Sequence, residues 1–378
     1  MVETDSPSLE ALIKRLILAT GPVSVATYMS LCLTDPQHGF YTSQRPIGAK
    51  GDFITAPEIS QLFGELIGIW MLAVWQQSGR PAPFHLVELG PGRGTLASDM
   101  IRAIATDPEA MACLHLHLLE ISPTLQKQQQ TALSDIDYQK SWHSHFASLP
   151  QAPLFIIGNE FFDCLPIHQW IFHKDQWHER VIGLNAEEQL AFGLGPIRAA
   201  PELPESPEQG AILEHSPACE AMMSTIAAHL ATHGGAGLFI DYGYDTPGFG
   251  DTFQAMRHHA YADPLLAPGQ QDLTAHVNFE SLRRQAQAEI LGATNTNHPS
   301  APLTLSPIVT QGEFLLAMGL LQRAGQLGAH QPAHRQEQIS QAVERLAGPD
   351  QMGKLFKCLA LMPALMPDSL PLPPASLT

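Results

Sequence analysis

The sequence predicts an α/β fold with a doubly wound, Rossmann-like sheet, and three observations support this class. Short apolar runs typical of parallel strands alternate with helical stretches through the middle of the 378-residue chain. One run, 84–89, ends in a glycine-rich turn that leads directly into a helix at 96–105. A second run, 113–119, ends at the acid Glu120, one β-α-β unit further along.

The predicted elements begin with two helices, at 9–17 and 25–33, and the first has apolar residues at helical spacing. Thr55 and Glu58 then have the spacing of a capping box, in which a hydroxyl and an acid cap a helix N-terminus reciprocally. We expect this box to open one helix that continues to about Gln77. That helix is apolar nearly all round, as expected for a helix packed on a sheet.

The sheet itself is predicted from these candidate parallel strands: 84–89, 114–119, a weak one near 137–139, 154–157 and 237–241. The gap at 159–234 is much longer than one crossover connection needs. It contains two alternating segments, 169–172 and 177–184, which predict a β-hairpin. The remaining assignments are a strand within 252–261 and helices at 218–233, 279–288, 311–322 and 335–346.

These elements predict three divisions of the chain. Residues 1–79 form an N-terminal helical segment with a lid, and residues 80–366 form the core. Inserts into the core, at about 165–210 and 245–305, would bind substrate. The proline-rich end, 367–378, is expected to be a flexible tail.

Composition narrows the class of partner. A formal net charge of −17 argues against nucleic acid, because phosphate backbones require clustered Lys and Arg, and it is compatible with a basic protein substrate. The longest apolar run, 62–74, is too short to span a membrane and is interrupted by Glu65, so no membrane insertion is expected. Five scattered cysteines without a C-x-x-C pair indicate a reducing, cytoplasmic environment. The sequence makes no prediction of oligomeric state.

Histidine is abundant, with 18 residues, so metal binding has to be considered. His115 with His117, and His143 with His145, are i, i+2 pairs that share a face only on a strand. The sequence contains no H-E-x-x-H motif and no Cys/His ligand pattern. We therefore expect no metal site, and interpret these residues as ordinary core or surface histidines.

The glycine-rich turn is the first candidate binding element. Gly90, Gly92 and Gly94 let backbone N–H groups approach a ligand closely, because no Cβ intervenes. The dinucleotide fingerprint has a third glycine or an alanine where this chain has Thr95, which disfavours a nicotinamide cofactor. Glu120 is placed to accept hydrogen bonds from the ribose hydroxyls of an adenosine ligand. Alternatively, it is a solvated acid near a helix N-terminus.

Polar residues follow the strand at 154–157 directly. Ligands of open α/β sheets bind outside the carboxyl ends of the strands, so Asn159, Glu160 and Asp163 should face the ligand. Two neighbouring carboxylates could hold a guanidinium or take a proton from an attacking nucleophile. The alternative is an acid pair that caps a helix.

Two further segments are candidates. Asp52 and Phe53, with Thr55 and Glu58, could fold over the ligand as a lid, although capping alone explains the latter two. His276 lies in a polar stretch and could orient substrate or shuttle a proton, or it could be a plain loop histidine.

At these residues the chain resembles the MidA-like class I S-adenosylmethionine-dependent methyltransferases, a family that includes a mitochondrial protein arginine methyltransferase assisting complex I assembly. The resemblance is carried by segments 51–60, 88–95, 159–163, 241–243, 272–279, 311–314 and 352–357. It implies a class I methyltransferase fold, S-adenosyl-L-methionine as methyl donor, and symmetric dimethylation of an arginine on a protein such as a complex I peripheral-arm subunit. The lack of a transit peptide departs from the mitochondrial members and favours a bacterial cytoplasmic enzyme.

The site implied by the resemblance has three parts. The donor would be bound by Glu88, Gly90, Gly92, Gly94, Thr95, Glu120 and Asn159. Catalysis would fall to Glu160, Asp163 and His276. Substrate and lid contacts would come from Asp52, Phe53, Thr55 and Glu58.

Other functions share some of these features. A small-molecule O- or N-methyltransferase would have the same donor site with a compact apolar pocket. An assembly factor could keep the donor site without catalysis. A nicotinamide oxidoreductase is disfavoured by Thr95.

Overall fold

A computed structural model describes residues 7–42, 55–134, 138–197, 207–257, 260–294 and 302–364. The helices are α1 (Leu9–Thr20), α2 (Val25–Thr34), α3 (Ala56–Ile59), α4 (Gln61–Gln77), α5 (Thr95–Ile104), α6 (Pro108–Cys113), α7 (Pro123–Ala132), α8 (Pro217–His233), α9 (Phe279–Thr294), α10 (Gln311–Ala317), α11 (Leu320–Gly328), α12 (Ala333–Ala347) and α13 (Met352–Leu355). The strands are β1 (Val23–Ser24), β2 (Phe84–Leu89), β3 (Leu114–Leu119), β4 (Gln139–His143), β5 (Leu154–Asn159), β6 (His168–His173), β7 (Gln176–Leu184), β8 (Leu190–Ile197), β9 (Ile212–His215), β10 (Gly235–Tyr244), β11 (Gln254–Arg257), β12 (Ala260–Ala262), β13 (Asp272–Thr274), β14 (Val277–Asn278), β15 (Leu303–Leu305), β16 (Val309–Thr310) and β17 (Phe356–Pro363).

The chain divides into two compact units, each assembled from three segments. The core unit comprises Ile54–Phe162, Glu220–Thr246 and Val277–Thr378. The second unit comprises Met1–Phe53, Asp163–Cys219 and Pro247–His276. The domain boundaries predicted from sequence remain predictions, and the predicted tail lies outside the described residues.

The core unit is built on a sheet with the strand order β15-β17-β10-β5-β2-β3-β4. The strands β10, β5, β2, β3 and β4 run parallel, which confirms the predicted doubly wound arrangement. The antiparallel strand β17 pairs along β10 and was not predicted. Its side chains are buried on both faces, so its sequence has no alternating pattern.

The face of this sheet that carries Leu86 and Leu116 packs with α4 and α5 in one apolar core. As predicted, α4 is buried nearly all round. Close contact between α4 and α5 depends on a small residue, because a Cβ on Gly68 would lie 2.6 Å from the carbonyl oxygen of Met100. The sequence therefore provides both the apolar residues that pack the helices on the sheet and the glycine that lets α4 and α5 pack closely against each other.

The start of α4 differs from the prediction. Thr55 makes no side-chain capping bond, so the predicted capping box is wrong. The helix is also interrupted, because Ser60 is extended (φ −162°, ψ 140°) and separates α3 from α4. Ser60 caps α4 by accepting from the Leu62 N–H at 3.3 Å, and Glu58 has other partners.

Two other elements of the core unit have boundaries that differ from the predicted ones. The weak strand near 137–139 is β4, which begins at Gln139, whereas residues 135–137 lie outside the described residues. The single helix predicted at 311–322 is two helices, because Gly319 adopts a left-handed conformation (φ 87°) between α10 and α11. In the described part of the chain, no helix combines the length and the apolar character needed to cross a membrane.

The second unit has two small sheets. One has the order β1-β7-β6-β9, with β8 paired to β7, and its antiparallel β6–β7 pair confirms the predicted hairpin. The other has the order β12-β11-β13, so the strand predicted within 252–261 is two antiparallel strands. The apolar core of the second unit includes Ile13, Tyr28, Met29, Ile182 and Leu273.

Candidate active site

The glycine-rich turn joins β2 to α5 with the backbone that the sequence predicts. Gly90, Gly92 and Gly94 have φ values of 61°, 51° and 83°, a region that disfavours side chains. The Gly94 N–H donates to the Pro91 carbonyl at 2.8 Å and closes the turn. A Cβ on Gly92 would meet no atom within 4 Å, so the loop leaves open space there.

Glu120 is connected to this loop by hydrogen bonds from Gln129. Gln129 donates from Nε2 to the Gly92 carbonyl at 2.8 Å and to Glu120 Oε2 at 3.1 Å. The Ser122 N–H donates to Glu120 Oε1 at 2.7 Å. Burial raises the pKa of Glu120. Gln129 was not a predicted site residue, since it stands in a run of glutamines that gives no local signal.

Glu88 is buried under the loop rather than exposed along it. Its carboxylate accepts the Ala97 N–H in the first turn of α5. Among the described residues, Glu88 Oε2 has no hydrogen-bond partner, and burial raises the pKa of Glu88 well above its usual value. The carboxyl group therefore supports the start of α5 in its neutral form.

Glu160 occupies a strained position directly after β5. Its φ of 49° is rare for a residue with a side chain. The Phe161 and Phe162 N–H groups both donate to Asp241 Oδ2, at 3.1 and 3.0 Å. The Glu160 N–H donates to the Ile240 carbonyl at 2.9 Å. Asp241, on the adjacent strand β10, thus holds the turn that presents Glu160.

The Glu160 carboxylate has defined neighbours within the core unit. Its Oε1 accepts from Asn159 Nδ2 and from the Ala56 N–H, both at 3.1 Å. The other amide atom, Asn159 Oδ1, is buried without a hydrogen-bond partner among the described residues. A buried acceptor without a donor is costly, so a ligand that donates there would be stabilised.

Glu58 ties α3 to the glycine loop. Thr95 Oγ1 donates to Glu58 Oε1 at 2.7 Å, and the Arg93 guanidinium lies 3.1 Å from Glu58 Oε2. These contacts replace the predicted capping role. Asp52 and Phe53 lie outside the described residues.

Asp163 and His276 belong to the second unit and are described with it. The Asp163 carbonyl accepts the Ala275 N–H at 2.9 Å, which places Asp163 beside the residue preceding His276. The His276 N–H donates to Thr252 Oγ1 at 2.9 Å. In turn, the half-buried acid Glu214 accepts the Thr252 N–H at 2.9 Å, so it supports the backbone at His276.

The structure thus brings seven of the fourteen predicted site residues to one edge of the core sheet. The strands β2, β3 and β5 are parallel, so their carboxyl ends meet there. The predicted residues at that edge are Gly90, Gly92, Gly94, Thr95, Glu120, Asn159 and Glu160. Gln129 and Asp241 were missed, and both act by hydrogen bonds between elements distant in sequence.

Similarity to known proteins extends over most of the chain. A family model described as "Putative S-adenosyl-L-methionine-dependent methyltransferase" matches residues 66–295. The mitochondrial protein arginine methyltransferase NDUFAF7 homolog of Drosophila melanogaster is 37% identical over 395 residues, covering 96% of this chain and 87% of that protein. Its Homo sapiens counterpart, NDUFAF7, is 35% identical over 374 residues, covering 92% of this chain and 81% of that protein.

Two crystal structures from Burkholderia thailandensis share the fold. One, with bound S-adenosyl-homocysteine, superposes with a TM-score of 0.80 at 24% identity, covering 97% of this chain and 95% of that chain. The other, a native crystal structure, gives a TM-score of 0.79 at 25% identity with the same coverage. The predicted Rossmann-like α/β class is therefore confirmed.

Proposed function

Because this chain belongs to that family of S-adenosyl-L-methionine-dependent methyltransferases, we propose that it methylates arginine side chains of a protein substrate. The methyltransferase class and the methyl donor follow from family membership. Support for arginine as the acceptor comes from relatives that are named protein arginine methyltransferases. The single observation in this structure that favours it is the carboxylate of Glu160, held at the edge of the sheet where the donor site lies.

The core unit offers a suitable cradle for the donor. The positive-φ glycines form a turn that leaves open space at Gly92. The carboxylate of Glu120 would hold the ribose hydroxyls, and Gln129 fixes that carboxylate against the loop. The buried Asn159 Oδ1 would accept a hydrogen bond from the donor's ammonium group. When bound, S-adenosylmethionine supplies an electrophilic methyl group on a positively charged sulfur.

Glu160 is proposed to hold the acceptor guanidinium. Free arginine is protonated at neutral pH, with a pKa above ~12, and its charge is delocalised over three nitrogens. A carboxylate that binds the far side of the group localises the charge there and leaves another nitrogen with more electron density for attack. The strained backbone at Glu160 is consistent with this role, since strain of this kind collects at functional sites.

The predicted catalytic roles of Asp163 and His276 remain proposals for the second unit. Asp163 is buried and lies in the chain three residues after Glu160, and His276 is anchored through its backbone to Thr252. Asp163 would serve as a further carboxylate for the guanidinium, and His276 would orient substrate or transfer a proton.

The finer identity of the substrate is also a proposal. We expect symmetric dimethylation of an arginine on a complex I peripheral-arm subunit, an acceptor compatible with a chain of net charge −17. For the compartment, we propose the bacterial cytoplasm. Its support is that the five cysteines are scattered and include no C-x-x-C pair, as expected in a reducing environment. Fractionation of the source cells with an antibody to the chain tests it.

The donor site is tested first, by calorimetric titration with S-adenosylhomocysteine. We expect binding by the wild type, no binding of NADH, and loss of binding in Gly92→Val. A side chain at Gly92 enters space that the fold leaves open, but it also strains a backbone with φ 51°. Circular dichroism of Gly92→Val therefore has to show a folded protein before the loss of binding is assigned to a blocked ligand site. A folded wild type that binds no S-adenosylhomocysteine would contradict the proposed donor site.

The acceptor is tested with radiolabelled methyl donor and a candidate complex I subunit, followed by mass spectrometry of the modified residue. Glu160→Gln should retain donor binding and lose methyl transfer by orders of magnitude. Methylation of a residue other than arginine would overturn the proposed acceptor. Labelling of a small molecule instead would favour a small-molecule methyltransferase, and binding without any transfer would favour an assembly factor.

A further inference from the structure

Four histidines gather on three adjacent strands of the core sheet. His85 lies on β2 and is paired in register with His115 on β3. His117 follows two residues later and shares a sheet face with His115. His143, on β4, packs beside His117, with ring centroids 5.1 Å apart. One ring nitrogen from each of His85, His115 and His117 lies within 4.8 Å of the others.

Hydrogen bonds determine where the protons of this cluster lie. Ser148 donates its hydroxyl proton to the His145 carbonyl at 2.7 Å, so its oxygen must accept from His143 Nδ1–H at 2.9 Å. A neutral His143 then has a bare Nε2, which accepts from His117 Nδ1–H at 3.0 Å. This leaves His117 Nε2 bare as well, and it accepts from His85 Nδ1–H at 2.9 Å.

Neutral rings are consistent with this environment. His85 and His117 are only 7% and 1% exposed, and burial disfavours the charged form of an imidazole. The chain of bonds therefore leaves a lone pair on His117 Nε2, directed toward His85. Ser141 Oγ, 2.9 Å from His115 Nε2, orients the third ring.

This is the arrangement that a metal-binding histidine requires. Ligating imidazoles are neutral, and a partner usually holds the remote N–H so that the ring orientation is fixed. His143 does this for Nδ1 of His117. A tetrahedral zinc with Zn–N bonds of 2.0–2.1 Å separates its ligand nitrogens by about 3.3–3.4 Å. His85 and His117 need to separate only slightly from 2.9 Å to admit the ion, with the His85 proton moving from Nδ1 to Nε2.

We propose that His85, His115 and His117 form a binding site for one divalent transition-metal ion, with Zn²⁺ as the expected ion. Three imidazoles match the preference of zinc and its neighbours, and they leave a fourth position for water. His115 is half-buried while His85 and His117 are buried, so the ion has access from the His115 side. The prediction of no metal site was based on ligand patterns within short segments, and such patterns cannot include His85, which comes from another strand.

The ion would be structural and separate from methyl transfer. His85 is the second residue of β2 and the glycine loop follows its last, so about 13 Å of strand separates the two sites. Bound metal would cross-link β2 to β3 near their amino ends. Since the unfolded chain lacks this geometry, the ion should stabilise the fold by RT ln(1 + [Zn²⁺]/Kd) and so raise the thermal unfolding midpoint.

The test is calorimetric titration of ZnCl₂ into the full chain, without an affinity tag and after treatment with a chelator. We expect one Zn²⁺ per chain and a raised unfolding midpoint. His115→Ala should weaken binding more than about tenfold, and His143→Gln should weaken it about 10–100-fold through loss of the orienting bond. The control is His334→Ala, which removes an exposed imidazole from α12 and should bind as the wild type does.

A second measurement keeps the proposal testable if a variant does not fold. Co²⁺ titrated into the wild type should give the intense visible absorption of a four-coordinate nitrogen site, and Zn²⁺ should abolish it. The proposal is overturned if the wild type binds no Zn²⁺ at millimolar concentration. It is equally overturned if folded His115→Ala binds as tightly as the wild type, or if Co²⁺ gives only the weak spectrum of the hydrated ion.

Discussion

The carboxylate of Asp241 accepts the backbone N–H of Phe161 at 3.1 Å, and this bond holds the turn in which Glu160 has a positive φ. The same oxygen accepts from Phe162, and Oδ1 accepts from Tyr242. Asp241 is buried at the end of β10, next to the end of β5. Asp241 therefore holds backbone N–H groups of its own strand, β10, and of the turn that follows the neighbouring strand β5.

Asp241→Asn should therefore damage both stability and catalysis. An asparagine oxygen can replace Oδ2, which accepts from Phe161 and Phe162, or Oδ1, which accepts from Tyr242, but not both. Its own N–H groups would then oppose the donor or donors on the other side. We expect a loss of about 2–3 kcal/mol in the free energy of unfolding, the range for buried hydrogen bonds to a charged group. Methyl transfer should fall further than donor binding, because Glu160 loses its orientation. Denaturant titration and methylation assays measure the two effects.

The control for this variant is Asp245→Asn, which removes an exposed carboxylate just past the end of β10. It should stay within about 0.5 kcal/mol of the wild type. Equal effects of the two substitutions would show that charge, rather than backbone bonding, explains the loss.

Gln129→Ala should weaken donor binding without removing any group assigned to the ligand. The variant loses the bonds to Gly92 and Glu120, and it leaves the indole N–H of Trp142 without its acceptor at 2.9 Å. We expect about tenfold weaker S-adenosylhomocysteine binding and about 1–3 kcal/mol lower stability. Gln130→Ala, at the exposed neighbouring position, is the matched control, and calorimetry that cannot distinguish the two variants would refute this role.

The buried carboxyl of Glu88 should make stability depend on pH in a defined direction. Burial raises the pKa of Glu88 in the folded state well above 4.5, so the folded protein keeps a proton that the unfolded chain releases above that pH. The wild type should therefore lose stability relative to Glu88→Gln as pH rises from about 4.5 toward neutrality. The slope should approach ~1.4 kcal/mol per pH unit.

Urea titrations from pH 4 upward measure this difference. Glu337→Gln, at an exposed position on α12, reports the effect of removing one surface charge. Parallel stability profiles for wild type and Glu88→Gln would mean that the carboxyl is not held neutral.

The side-chain hydroxyls of Ser60 and Thr55, which both precede α4, should contribute differently to the free energy of unfolding. Ser60 accepts the Leu62 N–H, whereas Thr55 makes no capping bond. Ser60→Ala should lower the free energy of unfolding by about 1 kcal/mol, the usual value of an N-cap. Thr55→Ala should cost less than about 0.5 kcal/mol. The reverse order in thermal unfolding would restore the capping box predicted from sequence.

Local signals in the sequence were reliable where the backbone itself imposes them. The positive φ values at Gly90, Gly92 and Gly94 require glycine, so the turn could be recognised from its residues. Ser122 and Pro123 begin α7 as an N-cap and a first-turn proline for the same local reason. The position of Glu120 could be predicted because it directly follows the apolar strand β3.

The same local reasoning failed where a distant partner competes. Thr55 and Glu58 have capping-box spacing, but Glu58 instead binds Arg93 and Thr95, more than 30 residues along the chain. Gln129 gave no signal, because glutamines beside it in α7 look alike until the helix is packed against the loop.

By itself, the sequence determined the α/β class, the glycine turn and the acids that follow two strands, because strand periodicity and positive-φ glycines are properties of short segments. Only the tertiary structure decided that Asp241 holds the turn at Glu160 and that His85 joins His115 and His117. Both depend on parallel strands lying side by side in a particular register. Neighbouring parallel strands are joined by long crossover connections, so their side chains meet across sequence separations that no local pattern records.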